Sequence, residues 1–143
     1  MRYQRFESRL QIRLASGEHA HDEVTEVLRR EQVGYATLSG LGAVRWVRLA
    51  YWNSATREYE AHELDEQLEV VSLIGNVTLR DSEPFIHWHV SLGRADLSIL
   101  GGHLLDAVAH PNFEVWIQRE TEAVHRRVEP ASGLALMDLP DHV

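Results

Sequence analysis

The sequence predicts an α+β domain: a largely antiparallel mixed sheet of about seven strands, with one main helix near the N-terminus. Three observations carry that expectation. Only the stretch beginning near Ala20 has apolar residues at helical spacing. Most of the remaining chain is a succession of short runs rich in β-branched and aromatic residues. Turn-forming segments such as NSATRE, RDSEP, RADL and HPN separate several of these runs. One helix followed by many strands is the signature of the α+β class.

Each element is justified in order. RLQIRLA, residues 9–15, puts Leu10, Ile12 and Leu14 on one face of a strand. SGEHAHDEV reads as a turn into a helix, with Ala20, Val24, Val27 and Leu28 on the buried face. Glu18, Asp22 and Glu23 lie early and Arg29 and Arg30 late, as the helix dipole prefers, and the helix should end before Gly34. YATLSG, VRWVRLAYW and EYEAHEL read as strands, with SGLGA (39–43) as a tight turn between the first two and NSATRE as a hairpin loop. LEVVSLIGNVTL is nearly continuous in apolar residues and predicts a strand buried on both faces. FIHWHVSLG and LSILGGHLL form a pair joined by RADL, and FEVWIQRE follows a turn at HPN. The chain of 143 residues is read as a single domain, 1–143, whose tail, 130–143, docks or frays at the periphery.

Composition narrows the function. Hydrophobic residues make up 44%, enough for a sizeable core. No apolar run approaches the roughly 20 residues that span a bilayer, and the N-terminus lacks the pattern of a signal peptide. The absence of cysteine excludes disulfides, thiolate chemistry and Cys-type zinc sites, and fits a cytoplasmic protein. All 14 basic residues are arginine, so no lysine can form a Schiff base. The formal net charge of −8 opposes attraction to phosphate backbones, and HRRVE near residues 125–129 is the densest basic segment.

The richest signal is PFIHWHVSLG, residues 84–93. On a strand, His87 and His89 point the same way, about 7 Å apart at Cβ, and Trp88 points to the other face. His103 follows Gly101 and Gly102, which mark either a bulge that re-aims it or a close backbone approach. Three histidines without cysteine would form an open metal site with a position left for water or substrate. Imidazole suits zinc but also nickel, copper and iron. Two ordinary polar residues on a half-exposed strand face give the same H-x-H pattern. His19, His21, His62, His110, His125 and His142 read as surface residues.

Other motifs are weaker. A cupin would place glutamate where Leu92 and Gly93 stand. SGLGA lacks the third glycine and the following helix of a dinucleotide fingerprint, and Ser39 and Ser72 are not in a nucleophile elbow. Glu69, inside the long apolar strand, reads as a buried carboxylate needing a partner. That partner is an arginine in a core ion pair, or else Glu69 orients a ligand histidine or serves as an acid/base group.

SGLGAV, LEVVSLIGNVTL, PFIHWHVSLG and LGGHLL together resemble, in spacing and order, the motifs of the family conserved in plants and prokaryotes (PPC). The resemblance runs through most of the chain. It implies a compact α+β domain assembling as a homotrimer. For prokaryotic-type members it implies that His87, His89 and His103 bind a metal, usually zinc. Plant members bind DNA through a separate AT-hook, and this chain has no Arg-Gly-Arg-Pro hook.

The first functional expectation is therefore a metal-binding assembly domain, holding Zn2+ or another divalent transition metal and possessing a small-molecule ligand site. The alternatives are an enzyme using an ion-activated water with Glu69 as proton shuttle, and a DNA-associated regulator, which the charge disfavours. Trp46, Tyr51, Trp52 and Trp116 are more aromatic surface than one sheet face hides, and predict self-association.

Overall fold

A computed structural model describes residues 1–141; His142, expected at the surface, lies outside them. The elements are β1 (Arg2–Arg5), β2 (Arg9–Ala15), α1 (Ala20–Arg30), β3 (Ala36–Asn53), β4 (Glu58–Leu64), β5 (Leu68–Arg80), β6 (Glu83–Gly93), β7 (Ile99–Arg119), β8 (Arg126–Val128) and β9 (Ala135–Met137). The fold is α+β, as the sequence predicts. Seven strands pair in the order β1-β2-β7-β6-β5-β3-β4, all antiparallel, and β8 and β9 form a separate hairpin. No helix among the described residues is long and apolar enough to cross a membrane.

β7 also pairs with β3, so β3, β5, β6 and β7 close into a ring. The ring is possible because β3 and β7 are far longer than the sequence runs suggest. The expected turn at SGLGA is a bulge inside β3. The register shifts there against both β5 and β7, and Gly42 has φ +139. A Cβ at Gly42 would lie 2.4 Å from the carbonyl oxygen of Asn112, so only glycine fits. The expected turn at His110-Pro-Asn is likewise an irregularity inside β7, opposite that bulge: Val44 faces Ala109 and Gly42 faces Phe113. Proline is tolerated where the ladder is already broken. Both long strands bend at the same corner instead of ending.

α1 covers the sheet. Ala20, Val24, Val27 and Leu28 are fully buried, and the helix packs on β2, β6 and β7. Leu10, Ile12 and Leu14 of β2 point inward as their alternation requires. The acidic first turn and basic last turn are present. The helix N-terminus, however, has no cap from its own His19 side chain. Asp106 of β7 supplies it, accepting from the backbone N–H of His21 at 3.0 Å while its other oxygen meets His19 Nδ1 at 2.5 Å. β5 corrects a further expectation. It is buried on one face only, with Leu68, Val70, Leu73 and Val77 inward and Val71 and Ile74 exposed outward. An unbroken apolar run does not distinguish a two-faced core strand from one whose outer face is apolar and bare.

Candidate metal centre

His89 of β6 stands directly opposite His103 of β7, and paired residues of antiparallel strands share a face. His87 lies two residues along β6 on that same face, and Trp88 between them is buried on the other. The β6–β7 pairing runs from Gly93↔Ile99 to His89↔His103 and stops. Beyond it β6 stays with β5, while β7 continues along β3. The histidines therefore sit at the fork where two strands part.

Each pair of imidazole rings has a centroid separation of 5.3 Å. One ring nitrogen from each lies within 4.8 Å of the others, so the three could hold one ion. His103 Nδ1 is buried with no hydrogen-bond partner among the described residues. Burial, then the neighbouring charges of His87 and His89, hold His103 down to about 4. Burial, then Arg126, then His89 also lower His87. Both are thus neutral at pH 7, the form that ligates metal. The donor set fits a divalent transition ion with an open position.

Gly101 explains why His103 reaches its partners. A Cβ there would lie 2.2 Å from the carbonyl oxygen of Val90, so glycine permits the close approach of β7 to β6. There is no bulge at the glycines. The register is unbroken from Ile99 to His103 on the β6 side, and the shift lies just after His103, against Arg48 and Leu49 of β3.

Glu69 is exposed, not buried. It pairs with Gly93, four residues along β6 from His89, or about 13 Å away. Among the described residues it forms no ion pair. Its neighbours Leu68 and Val70 take the core face, and alternation turns the carboxylate outward. His19, His21, His62, His110 and His125 are exposed, as expected.

Two side chains beside the histidines, Tyr59 and Arg126, have no role there in the sequence reading. Tyr59 of β4 stacks beside His103 at 5.1 Å. Arg126 and Arg127 part company on β8: Arg127 is exposed and pairs with Asp138, while Arg126 turns inward towards Asn76 and Thr78 of β5. Within the tail, Leu134, Ala135 and Leu136 wall a cavity that also touches His87 and His103. Only the strand alternation of "RRV" hinted at this.

Comparison with known proteins bears on the whole arrangement. The family model described as the Plants and Prokaryotes Conserved (PCC) domain matches residues 1–121. A solved structure from Archaeoglobus fulgidus, described as a metal-containing protein, is 34% identical, with TM-score 0.85 over 97% of this chain and 100% of that one. A plant- and prokaryote-conserved protein of Pyrococcus horikoshii is 28% identical, with TM-score 0.85 over 99% and 96% of the two chains. A protein of Bacteroides thetaiotaomicron, provisionally described as DNA-binding, is 24% identical with TM-score 0.92 over 96% of each chain. A search of curated proteins finds no significant match.

Proposed function

The chain belongs to the Plants and Prokaryotes Conserved domain family, and from that premise we propose that it is a three-histidine metal-binding protein that assembles with its own copies and offers the ion to a small ligand. The observation that carries the reading is the convergence of His87, His89 and His103 on one point, with a buried ring nitrogen of His103 left unpartnered. A buried polar atom without a partner is rare and costly unless something absent from the chain satisfies it. The metal-containing description of the A. fulgidus relative supports the same reading. Zinc is the first candidate, given neutral imidazole donors and no thiolate. A bound ion of this kind polarises a ligand oxygen or acidifies a bound water.

Self-association rests on the resemblance, which implies a homotrimer, and on the bare apolar face formed by β5 and the first residue of β7. Val71, Ile74 and Ile99 are 58%, 63% and 60% exposed. Ile74 is paired with His89, so this apolar face adjoins the histidines. The net charge of −8 argues against DNA as the partner, despite the description of two structural neighbours as DNA-binding. The cysteine-free composition suits a cytoplasmic setting.

Elemental analysis of untagged, dialysed protein tests the reading. Wild type should carry close to one ion per chain, and His87→Ala, His89→Ala and His103→Ala should each lose it. Zinc at about 100 times its dissociation constant should stabilise wild type by about 2.7 kcal/mol. Equal trace metal in all four proteins, with no stabilisation by added zinc, would remove the proposal.

A further inference from the structure

We propose that the cavity beside His87 and His103 binds a small organic carboxylate with an apolar or aromatic body, its carboxylate held by Arg126. The metal-facing end of this ligand rests on the reading above; the Arg126 contact does not.

The cavity has a volume of about 540 Å³, within the range of small-molecule sites. Its lining includes His87 and His103 at one side and Arg57, Arg80 and Arg126 elsewhere. Among the described residues no aspartate or glutamate lines it, although Arg80 is met by the exposed Asp81 at 3.7 Å, in a chain that carries 22 acids and only 14 arginines. A positive, acid-free cavity in an acidic protein is a local reversal of the overall charge.

Arg126 is the centre of that reversal. Its guanidinium is half-buried, yet among the described residues it has no carboxylate partner. Its hydrogen bonds all go to neutral acceptors: Thr78 Oγ1 at 2.8 Å, Asn76 Oδ1 at 2.9 Å and the carbonyl oxygen of Ala135 at 2.7 Å. The comparable Arg119 is met by Glu31 at 3.4 Å, and Arg94 by Glu66 at 2.8 Å. A partly buried cation without an internal anion favours an anion from outside.

The three bonds and the ring of Phe85, 4.9 Å below the guanidinium carbon, fix the group in place. They leave one N–H on each terminal nitrogen free to donate to a ligand oxygen. The remaining walls choose the ligand's body. Trp52, Tyr59, Phe85, Leu104, Leu134 and Leu136 present aromatic and aliphatic surface, which suits a carboxylate on an apolar frame better than bare phosphate. Arg126 and the 132–136 wall lie beyond residue 121, where the match to the family model ends.

The test titrates phenylacetate, its neutral counterpart 2-phenylethanol, and inorganic phosphate into zinc-loaded and metal-free protein, read by tryptophan fluorescence and calorimetry. Phenylacetate should bind both forms, more tightly with zinc. Phenylethanol should bind about tenfold or more weakly, and so should phenylacetate to Arg126→Gln, since hydrogen bonds to charged groups are worth that much. Zinc content of Arg126→Gln should be unchanged. Arg127→Gln, the exposed neighbour that pairs with Asp138 outside the cavity, should stay within about threefold of wild type. Should Arg126→Gln fail to fold, the acid–alcohol comparison on wild type decides. Equal affinity for acid and alcohol, tighter binding of phosphate than of phenylacetate, unchanged affinity in folded Arg126→Gln, or no binding by either form each overturns the proposal. Wild type that holds no zinc but binds phenylacetate through Arg126 overturns the metal reading alone.

Discussion

The helix-covered half of the domain and the fork where β6 leaves β7 treat charge in opposite ways. Around α1, Arg29 meets Glu83 at 2.8 Å, Arg30 meets Glu26 at 2.8 Å, and Glu31 accepts from both Tyr3 and Arg119. Arg119 Nε lacks a bond, yet its charge is answered by Glu31. At the fork, a buried imidazole nitrogen and a half-buried guanidinium have no charged partner among the described residues. The first half answers these charges within the fold, although Thr25 Oγ1 of α1 is also buried without a partner among the described residues. The second has lone pairs suited to a cation and a cation suited to an anion, which is how binding sites differ from scaffolds.

That contrast can be broken from either side. The largest effect should come from the scaffold. Phe113 is fully buried, and Phe113→Ala should cost about 3–5 kcal/mol in denaturant unfolding, while metal stoichiometry of the folded fraction stays at the wild-type value. Next is His103→Ala, which should weaken metal binding more than about 100-fold, beyond the loss typical of removing a group that merely orients a ligand. His19→Ala and His62→Ala should bind metal as wild type does, in competition with a chromogenic chelator.

Acid provides a third probe. In the metal-free fold His103 is held down to about 4, against about 6.5 in an unfolded chain. The unfolded chain therefore takes up a proton first as pH falls. This part of stability is whole above pH 6.5 and drains away between about 6.5 and 4. Denaturation of chelator-treated protein at pH 7.5, 5.5 and 4.5 should show that slope, and His103→Gln should flatten it. A smaller effect belongs to Asp106→Asn, which loses the charge at the helix N-terminus and the His19 pair. It should cost about 1 kcal/mol in unfolding and leave zinc content alone.

Much of this molecule was legible in its sequence. The helix, the strand sequence and the three histidines are local patterns, and periodicity reads local patterns well. The failures share a cause. The turns expected at SGLGA and HPN are bulges, because glycine and proline signal a departure from regular backbone without saying whether the chain reverses or only bends. Glu69 looked buried because its neighbours are apolar, but alternation sends it outward. Arg126 and Tyr59 were out of reach for another reason. They come to the histidines from β8 and β4, and no spacing within either segment records which distant strand it will meet.

The short β6–β7 ladder has one more consequence. It ends at His89↔His103, so the last rung before the strands separate is also a pair of candidate ligands. A sheet opened by thermal motion unzips from such an end. An ion held across that rung would act as a knot at the end of a seam. Amide exchange should then report it directionally: Gly102 and Val90, just behind the knot, should slow most when zinc is added, and Ile99 and Gly93, at the hairpin end, least.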